Sequence, residues 1–537
     1  MKKKNSIKII IYTCIISFFA FSILTPLITM FTKVGKDNFI AVTSSYFFKP
    51  AIKNTITTGL VSTIITMILA LLAAFSINRS NIKGKAIFSV IFTAPMLIPS
   101  ISHAFGIVQI FGNNGLITRL LHLSSGAYGF AGIVLGSIAY SFPVAFLMFS
   151  SILHFEDGNA YKAADVLGIP KRKQFFSITL PYLKKTLITC FFAVFTMIVT
   201  DYGVPTVLGK DVFTLASFLY SEAISNVNLP NGSVLGIFLL IPAIIAFIVD
   251  VANPERGEAG FVVSEVEPRK SKSRDALAYI FSISTTIVIL LPIVIFCIMT
   301  FVISYPNNMT FTFDNISRTM KKGVGEYLGN SLLYALLTSL LGTFISFVCA
   351  YISSRDKNKT SKIIHLLSII SMAIPGLVLG LGYCLFFSST EIYGSMVVVI
   401  LANTIHFMSS PYLMMYNSLG KVNPNLEGVG DSLGIPRIKI ITNVIVPKVK
   451  GTLLEMFAYF FVNSMMTISA VSFLCPPSPK VLAIMIYQFE GQLLMEAAAF
   501  VSIIILLVNL MLKLVIAIIK KAISRKENQI ELVKNTD

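Results

Sequence analysis

The sequence runs to 537 residues, of which 55% are hydrophobic and only 13% charged, at a mean hydropathy of +0.80. Soluble proteins carry nearer a quarter of charged residues, so composition excludes a chain that keeps its whole surface in water and makes the bilayer its expected solvent. The 43 Lys and Arg exceed the 25 Asp and Glu by 18, and because they collect in short loops between apolar runs they mark membrane topology, not a nucleic-acid partner.

In chain order, Lys2, Lys3 and Lys4 precede an apolar run that is too long for a signal h-region and lacks a small-x-small cleavage site, so a retained anchor is expected. About twelve stretches reach the ~20 residues that a helix needs to cross hydrocarbon. They lie near Ile9 to Phe31, Ile56 to Ile77, Ala86 to Phe111, Gly129 to Leu153, Thr186 to Leu208 and Ser233 to Val251. The rest lie near Ala278 to Ser304, Leu328 to Ser353, Ile363 to Phe387, Ser395 to Leu419, Leu453 to Leu474 and Ala497 to Ile519. An even number returns both termini to one side. The termini and the loops after even-numbered spans hold roughly 32 Lys and Arg against about 10 in the other loops, so that side is expected to be the cytoplasm.

Cys14, Cys190, Cys297, Cys349, Cys384 and Cys475 are scattered without CxxC spacing, and the five histidines show no HExxH. No metal site is expected from them.

The chain repeats itself. Asn54, Arg79, Pro99 and Gly106 recur as Asn330, Arg355, Pro375 and Gly382 at an offset of about 276, which then shortens to about 266. At that second offset Asp165, Leu167, Gly168, Ile169, Pro170, Lys173, Pro181 and Lys184 match Asp431, Leu433, Gly434, Ile435, Pro436, Lys439, Pro447 and Lys450. Apolar helices align by chance on Leu and Ile, but not on Gly-Ile-Pro with a second proline at the same spacing. The expected fold is therefore an all-α polytopic membrane protein with about twelve transmembrane helices in two parallel six-helix repeats. Residues 1–252 form the first half and 277–520 the second, with a charged linker at 253–276 and a tail at 521–537.

Both repeated loops, Glu156 to Lys185 and Lys421 to Gly451, read as helix, break, helix. Asp157 stands at an N-cap, and Asn423 with Pro424 makes an N-cap and N1 pair. Each short helix should stop at a left-handed C′ glycine, Gly168 or Gly434, with Pro170 or Pro436 blocking continuation. A second basic helix should then end at Pro181 or Pro447, where the next span begins.

The pattern Ala163-Ala164, Gly168, Ile178, Leu180-Pro181, with its second copy Val429-Gly430, Gly434, Val444, Val446-Pro447, resembles the EAA loop of type I ABC importer permeases. The resemblance spans both halves and implies the family's transmembrane domain at about 54–252 and 327–517. It implies the inner-membrane component of a bacterial binding-protein-dependent importer, a transport subunit and not an enzyme. Its short helices would dock on two copies of an ABC ATPase, and an extracytoplasmic solute-binding protein would deliver the solute. The docking set it implies is Ala163, Ala164, Asp165, Gly168, Pro170 and Pro181 with Glu427, Asp431, Gly434, Pro436 and Pro447. The family's glutamate position holds Lys162 in one copy and Gly428 in the other, so Asp165 and Asp431 are alternative acidic contacts. The stretches Asp201 to Gly209 and Ser469 to Leu474 are similar to fused permeases for iron(III), 2-aminoethylphosphonate and thiamine.

No GxxxxGK[ST] occurs, so ATP and its Mg are expected on separate subunits, with no cofactor in this chain. Asp201, an ionisable residue at the end of an apolar run, is costly enough to suggest a role. Thr200, Asp201 and Tyr202 with Asn463, Ser464, Thr467 and Ser469 are candidates to line a central path, the alternative being that Asp201 caps a broken helix. Pro99 and Pro375 interrupt matched spans as hinges or packing kinks. His406 is expected to bond a neighbouring helix. An ion-coupled secondary transporter with parallel repeats is the rival reading. It calls for several buried charges in the spans and no matched docking helices.

Overall fold

The computed structural model describes residues 2–252, 266, 268, 271–356, 358–474 and 480–534. Cys475 and most of the charged linker lie outside them. Among the described residues eight helices are long and apolar enough to cross a membrane, or up to eleven spans if each of three bent pairs is one. The helices of the amino-terminal part are α1 (Lys8–Thr32), α2 (Phe48–Asn78), the bent pair α3 (Lys85–Leu97) and α4 (Ser100–Leu120), α5 (Gly129–His154), α6 (Gly158–Val166), α7 (Lys171–Val199) and α8 (Leu229–Ala252). Then come α9 (Lys272–Thr300), α10 (Asp314–Arg355), the bent pairs α11 (Lys359–Ala373) with α12 (Gly376–Phe387) and α13 (Met396–His406) with α14 (Ser409–Gly420), α15 (Leu426–Ser432), α16 (Val446–Met466) and α17 (Met495–Arg525).

Eleven of the expected stretches thus find a counterpart. The other, Leu453 to Leu474, falls on α16, whose Lys448, Lys450, Glu455 and Asn463 dilute its apolar character and which ends at Met466, eight residues early. Two further departures are α7, which ends at Val199 short of the expected Leu208, and a small antiparallel hairpin, β1 (Val302–Ser304) with β2 (Asn308–Phe311), placed where the α9 span was expected to run on to Ser304.

The outer faces of these helices are apolar: Val288 on α9 is 70% exposed and Ile518 on α17 68%. Unburied Ile, Val and Phe on that scale fit a surface that meets hydrocarbon. Inward faces use small residues to bring backbones close. A methyl at Gly342 of α10 would lie within 2.8 Å of three carbons of the Phe460 ring on α16.

The chain condenses into two compact units. One gathers Met1–Thr32, Gly323–Ala483 and Ile504–Asp537, the other Lys33–Lys322 and Ile484–Ile503. The units therefore do not coincide with the sequence halves. The leading span of each half, α1 or α9, packs with the body of the other half. The repeated glycines explain the fit. At Gly106 a methyl would lie 2.7 Å from Pro292 Cβ of α9, and at Gly382 it would lie 3.0 Å from the Pro26 carbonyl oxygen of α1. A matched glycine on α4 or α12 thus receives a matched proline of the exchanged leading span. Gly106→Val is expected to cost about 1–3 kcal/mol through overpacking, read as a lower thermal midpoint of the purified protein with α9 more open to protease at its ends.

Candidate functional site: two docking loops and two broken spans

The first of the two candidate docking helices, α6, is capped by Asp157, whose Oδ1 accepts the Asn159 N–H at 3.0 Å. It ends in a Schellman motif: the Gly168 N–H bonds Asp165 O at 3.1 Å and the Ile169 N–H bonds Ala164 O at 2.9 Å. The second, α15, closes the same way, with Gly434 N–H on Asp431 O at 3.2 Å and Ile435 N–H on Gly430 O at 2.8 Å. Both glycines are left-handed, at φ +68° and +69°, a conformation costly for any residue with a Cβ. The expected C′ positions are thus observed.

Two local expectations need correction. Asn423 Oδ1 accepts the Asn425 N–H at 2.9 Å, but Pro424 and Asn425 form a turn, and the helix starts at Leu426. Nor do Pro181 and Pro447 end the second helical stretch. Five residues of π-helix precede each of them, Phe175–Thr179 and Ile441–Ile445. The wide turn moves aside the carbonyl that a proline ring would strike in a regular α-helix. The helix therefore runs without a break from Lys171 to Val199.

Of the acidic residues expected to face the ATPase, Asp165 is half-buried, Glu427 is buried and Asp431 is exposed. Asp165 receives Lys171 Nζ at 2.6 Å and Gln174 Nε2 at 2.7 Å, which binds the two sides of the Gly168 turn together. Glu427 is buried and lies 3.0 Å from Arg355 Nε at the end of α10. The first half makes the same anchor with other residues. Arg79, at the end of α2, pairs with buried Glu156, and the Tyr161 hydroxyl on α6 donates to Glu156 Oε1 at 2.6 Å. Burial and the adjacent carboxylate push the Tyr161 phenol well above its ordinary range, so it remains a donor.

Apolar side chains project outward instead. Val166 is 88% exposed, Leu167 75% and Leu433 70%, all beside the left-handed glycines. Of the aligned alanine positions, Ala163 is exposed and Ala164 buried. The latter is Gly430 in the second copy, because a methyl there would lie 2.1 Å from Ile440 Cδ1. Pro170 and Pro436 begin the stretch after each turn.

The broken spans are matched as well. α3 and α4 meet at 104° and α11 and α12 at 105°, because Ile98 and Ile374, forced extended by the following prolines, stop the helix. The Ser100 hydroxyl, in the first turn after one break, donates to Asp201 Oδ1 at 2.6 Å, and the Val204 N–H donates to Asp201 Oδ2 at 2.9 Å. Asp201 thus caps the short helix Gly203–Leu208 and ties it to the break. At the second break a methyl on Gly376 would lie 2.4 Å from Ser469 Oγ and 3.1 Å from the His406 ring. Hydroxyl and glycine exchange places between the copies: Ser100 faces Gly203 in one and Ser469 faces Gly376 in the other. Sequence reasoning missed Ser100, Gly203 and Gly376, although the two offsets align them. His406 Nδ1 is buried without a hydrogen-bond partner, so the bond expected from this residue is not made through that atom.

The remaining candidates for the path have local roles. Thr200 donates to Thr196 O at 2.8 Å, Asn463 Nδ2 donates to Tyr459 O at 2.8 Å, and the Thr467 N–H donates to Asn463 O at 2.9 Å. Buried Tyr202 stacks on Tyr220 at 4.5 Å. Ser464 Oγ is buried without a hydrogen-bond partner. Thr200, Asp201 and Tyr202 lie in one compact unit and Asn463, Ser464, Thr467 and Ser469 in the other. Asp201→Ala removes a cap and should cost about 1–2 kcal/mol, whereas Asp201→Asn keeps an acceptor and should unfold close to the wild-type midpoint in a thermal melt.

Residues 66–252 and 342–525 match the family of binding-protein-dependent transport system inner membrane components. The chain belongs to that family. It is 25% identical over 445 residues to the ferric transport system permease protein of Actinobacillus pleuropneumoniae, covering 79% of this chain and 64% of that one. The Fe(3+)-transport system permease protein of Haemophilus influenzae is 23% identical over 487 residues, covering 87% and 89%. A thiamine transport system permease protein of Brucella abortus is 22% identical over 370 residues, covering 66% of each chain. A chain of a bacterial alginate ABC transporter, solved with an alginate-bound periplasmic protein, is 18% identical and covers 48% of this chain at a TM-score of 0.41. The chain is thus a fused two-half, multi-pass membrane permease of the ABC importer class.

Proposed function

We propose that this permease is the membrane subunit of an ATP-driven importer for iron(III). Two ABC ATPase copies, carrying ATP and Mg, bind α6 and α15 on the cytoplasmic side, where both termini also lie. A solute-binding protein delivers iron(III) from outside. The observation that carries this reading is the matched pair of Schellman-terminated helices, each with an exposed leucine at its tip and each followed, after its glycine turn, by a stretch that runs through a π turn into the next long helix. A docking surface needs an apolar centre that a partner desolvates, and a lever needs rigid continuity. Substrate class rests on the ferric relatives, which match most of both halves. The docking set includes Gly168, Pro170, Pro181, Gly434, Pro436 and Pro447 as shape-setting residues, and Asp201 and Ser469 are path-lining candidates, each within its own unit.

Cells lacking their own ferric importer, supplied with this chain, its ATPase and its binding protein, should accumulate radiolabelled iron(III) in an ATP-dependent manner. Accumulation of thiamine or 2-aminoethylphosphonate in place of iron(III) would overturn the substrate assignment and leave the importer assignment standing.

A further inference from the structure

At the end of α10 a network of charged and phenolic side chains joins four elements of one compact unit. Arg355 reaches Glu427 on docking helix α15 at 3.0 Å. The Tyr351 hydroxyl donates to Glu427 Oε1 at 3.3 Å and receives Arg437 Nε, from the stretch just after the Gly434 turn, at 2.9 Å. Arg437 also lies 3.7 Å from Asp356 Oδ1. Asp356 in turn binds the leading span α1, through Lys8 Nζ at 2.9 Å and the Tyr12 hydroxyl, and Asn358 donates to that same hydroxyl at 3.2 Å. The chain of contacts therefore runs from the docking helix to α1 without a gap.

Two features separate this network from a plain fold anchor. First, it is incomplete: Arg355 Nε and Nη2 and Glu427 Oε2 are buried without hydrogen-bonded partners, so the pair meets at contact distance but is not aligned. A buried charge pair that is only partly satisfied gains strength when its partners shift into a bidentate arrangement. Second, the other unit fastens its own exchanged leading span at the equivalent loop. There Asp275 Oδ1 accepts the Asn81 N–H at 3.1 Å and the Tyr279 hydroxyl binds the Lys83 N–H. In both units the α1 or α9 residues stand four apart, Lys8 with Tyr12 and Asp275 with Tyr279, one helical turn on one face.

We propose that the Lys8–Asp356–Tyr12 fastening is a positioning device that transmits movement of docking helix α15 to the leading span α1, which belongs to the other sequence half, and so makes the two halves move together. Realignment of Arg355 and Glu427 is the local event, and Asp356 passes it on through Arg437. The inference rests on the importer reading above. It uses Lys8 and Tyr12, neither of which belongs to the docking surface or the path.

The test uses the full complex of this chain with its ATPase subunits, assayed for ATP hydrolysis in nanodiscs and for iron(III) uptake in cells. Tyr12→Phe keeps the ring and removes one hydroxyl. It should leave ATP hydrolysis within about twofold of wild type and lower uptake about fivefold or more, the scale of a modest coupling free energy. Lys8→Asp should do the same, whereas Lys8→Arg, which keeps a cation beside Asp356, should retain uptake to within about threefold of wild type. Retained uptake in Tyr12→Phe would overturn the proposal. So would a parallel loss of hydrolysis and uptake in that variant, or a Lys8→Arg variant no better than Lys8→Asp. A wild-type complex that hydrolyses ATP but takes up no iron(III) would instead count against the substrate reading, and the uptake arm would then use the substrate found for it.

Discussion

Replacing Leu167 and Leu433 together by aspartate should abolish recovery of the ATPase with this permease and reduce uptake to background. Both leucines stand at the tips of the docking helices, 75% and 70% exposed, beside glycines whose left-handed backbone fixes their direction. Truncating a central apolar residue of an interface costs about 2 kcal/mol or more, and placing a charge there adds an unpaired group that the partner must desolvate. Two such losses on one rigid partner dimer exceed what a typical interface tolerates. Either single replacement should weaken recovery and leave some uptake, because one helix still docks. The folded chain should survive, since neither side chain supports the core, and an unchanged thermal midpoint would show this. Full ATPase recovery with the double variant would remove these helices from the docking surface.

The second large effect concerns the Arg355–Glu427 pair. Glu427→Ala should destabilise the protein by about 3–5 kcal/mol, because it strands a guanidinium whose side chain is only 5% exposed. Exchanging both partners for apolar residues of similar size, Glu427→Leu with Arg355→Met, should recover most of that stability, since the desolvation cost of both charges disappears with them. Uptake should remain low in the double variant, because the link between α10 and α15 is gone. Thermal melts of detergent-purified protein and uptake measured side by side separate the two effects. A double variant as unstable as Glu427→Ala would mean that the pair is needed for folding itself, and restored uptake would mean that the pair has no part in coupling.

What was legible in the sequence followed from residues with few options. A glycine followed by Ile-Pro after a short polar helix can hardly be other than a left-handed stop, and Gly168 and Gly434 both are. Pro99 and Pro375 likewise had to break their spans, and both do so at nearly the same angle. Other features depend on context that a linear pattern lacks. Pro181 and Pro447 read as helix ends, yet a π turn before each lets the helix continue. The repeat made Arg79 and Arg355 stand out, but not their partners. Glu156 precedes its docking helix and Glu427 lies within the other, so the two occupy different positions of the repeat and no single offset pairs them. Exchange of the leading spans was equally hidden. Order along the chain favours neighbours, and the only trace was a glycine repeated at 106 and 382, whose reason is a proline nearly two hundred residues away in one case and more than three hundred in the other. Asp201 was legible in one of its two readings, since capping of a broken helix was the stated alternative. Its cost in an apolar run suggested a role in the path, and the bonds from Ser100 and Val204 give it a structural task at the break as well.

The central claim is that this chain is the path and lever of a machine whose motor lies on other subunits. Its most direct test is the mass of the complex purified through a tag on this chain from cells that also express the ATPase, combined with uptake before and after ATP depletion. The account predicts two ATPase copies for each copy of this chain and uptake that stops when ATP is exhausted. Recovery of this chain alone, with uptake that persists without ATP and follows an ion gradient, would contradict it.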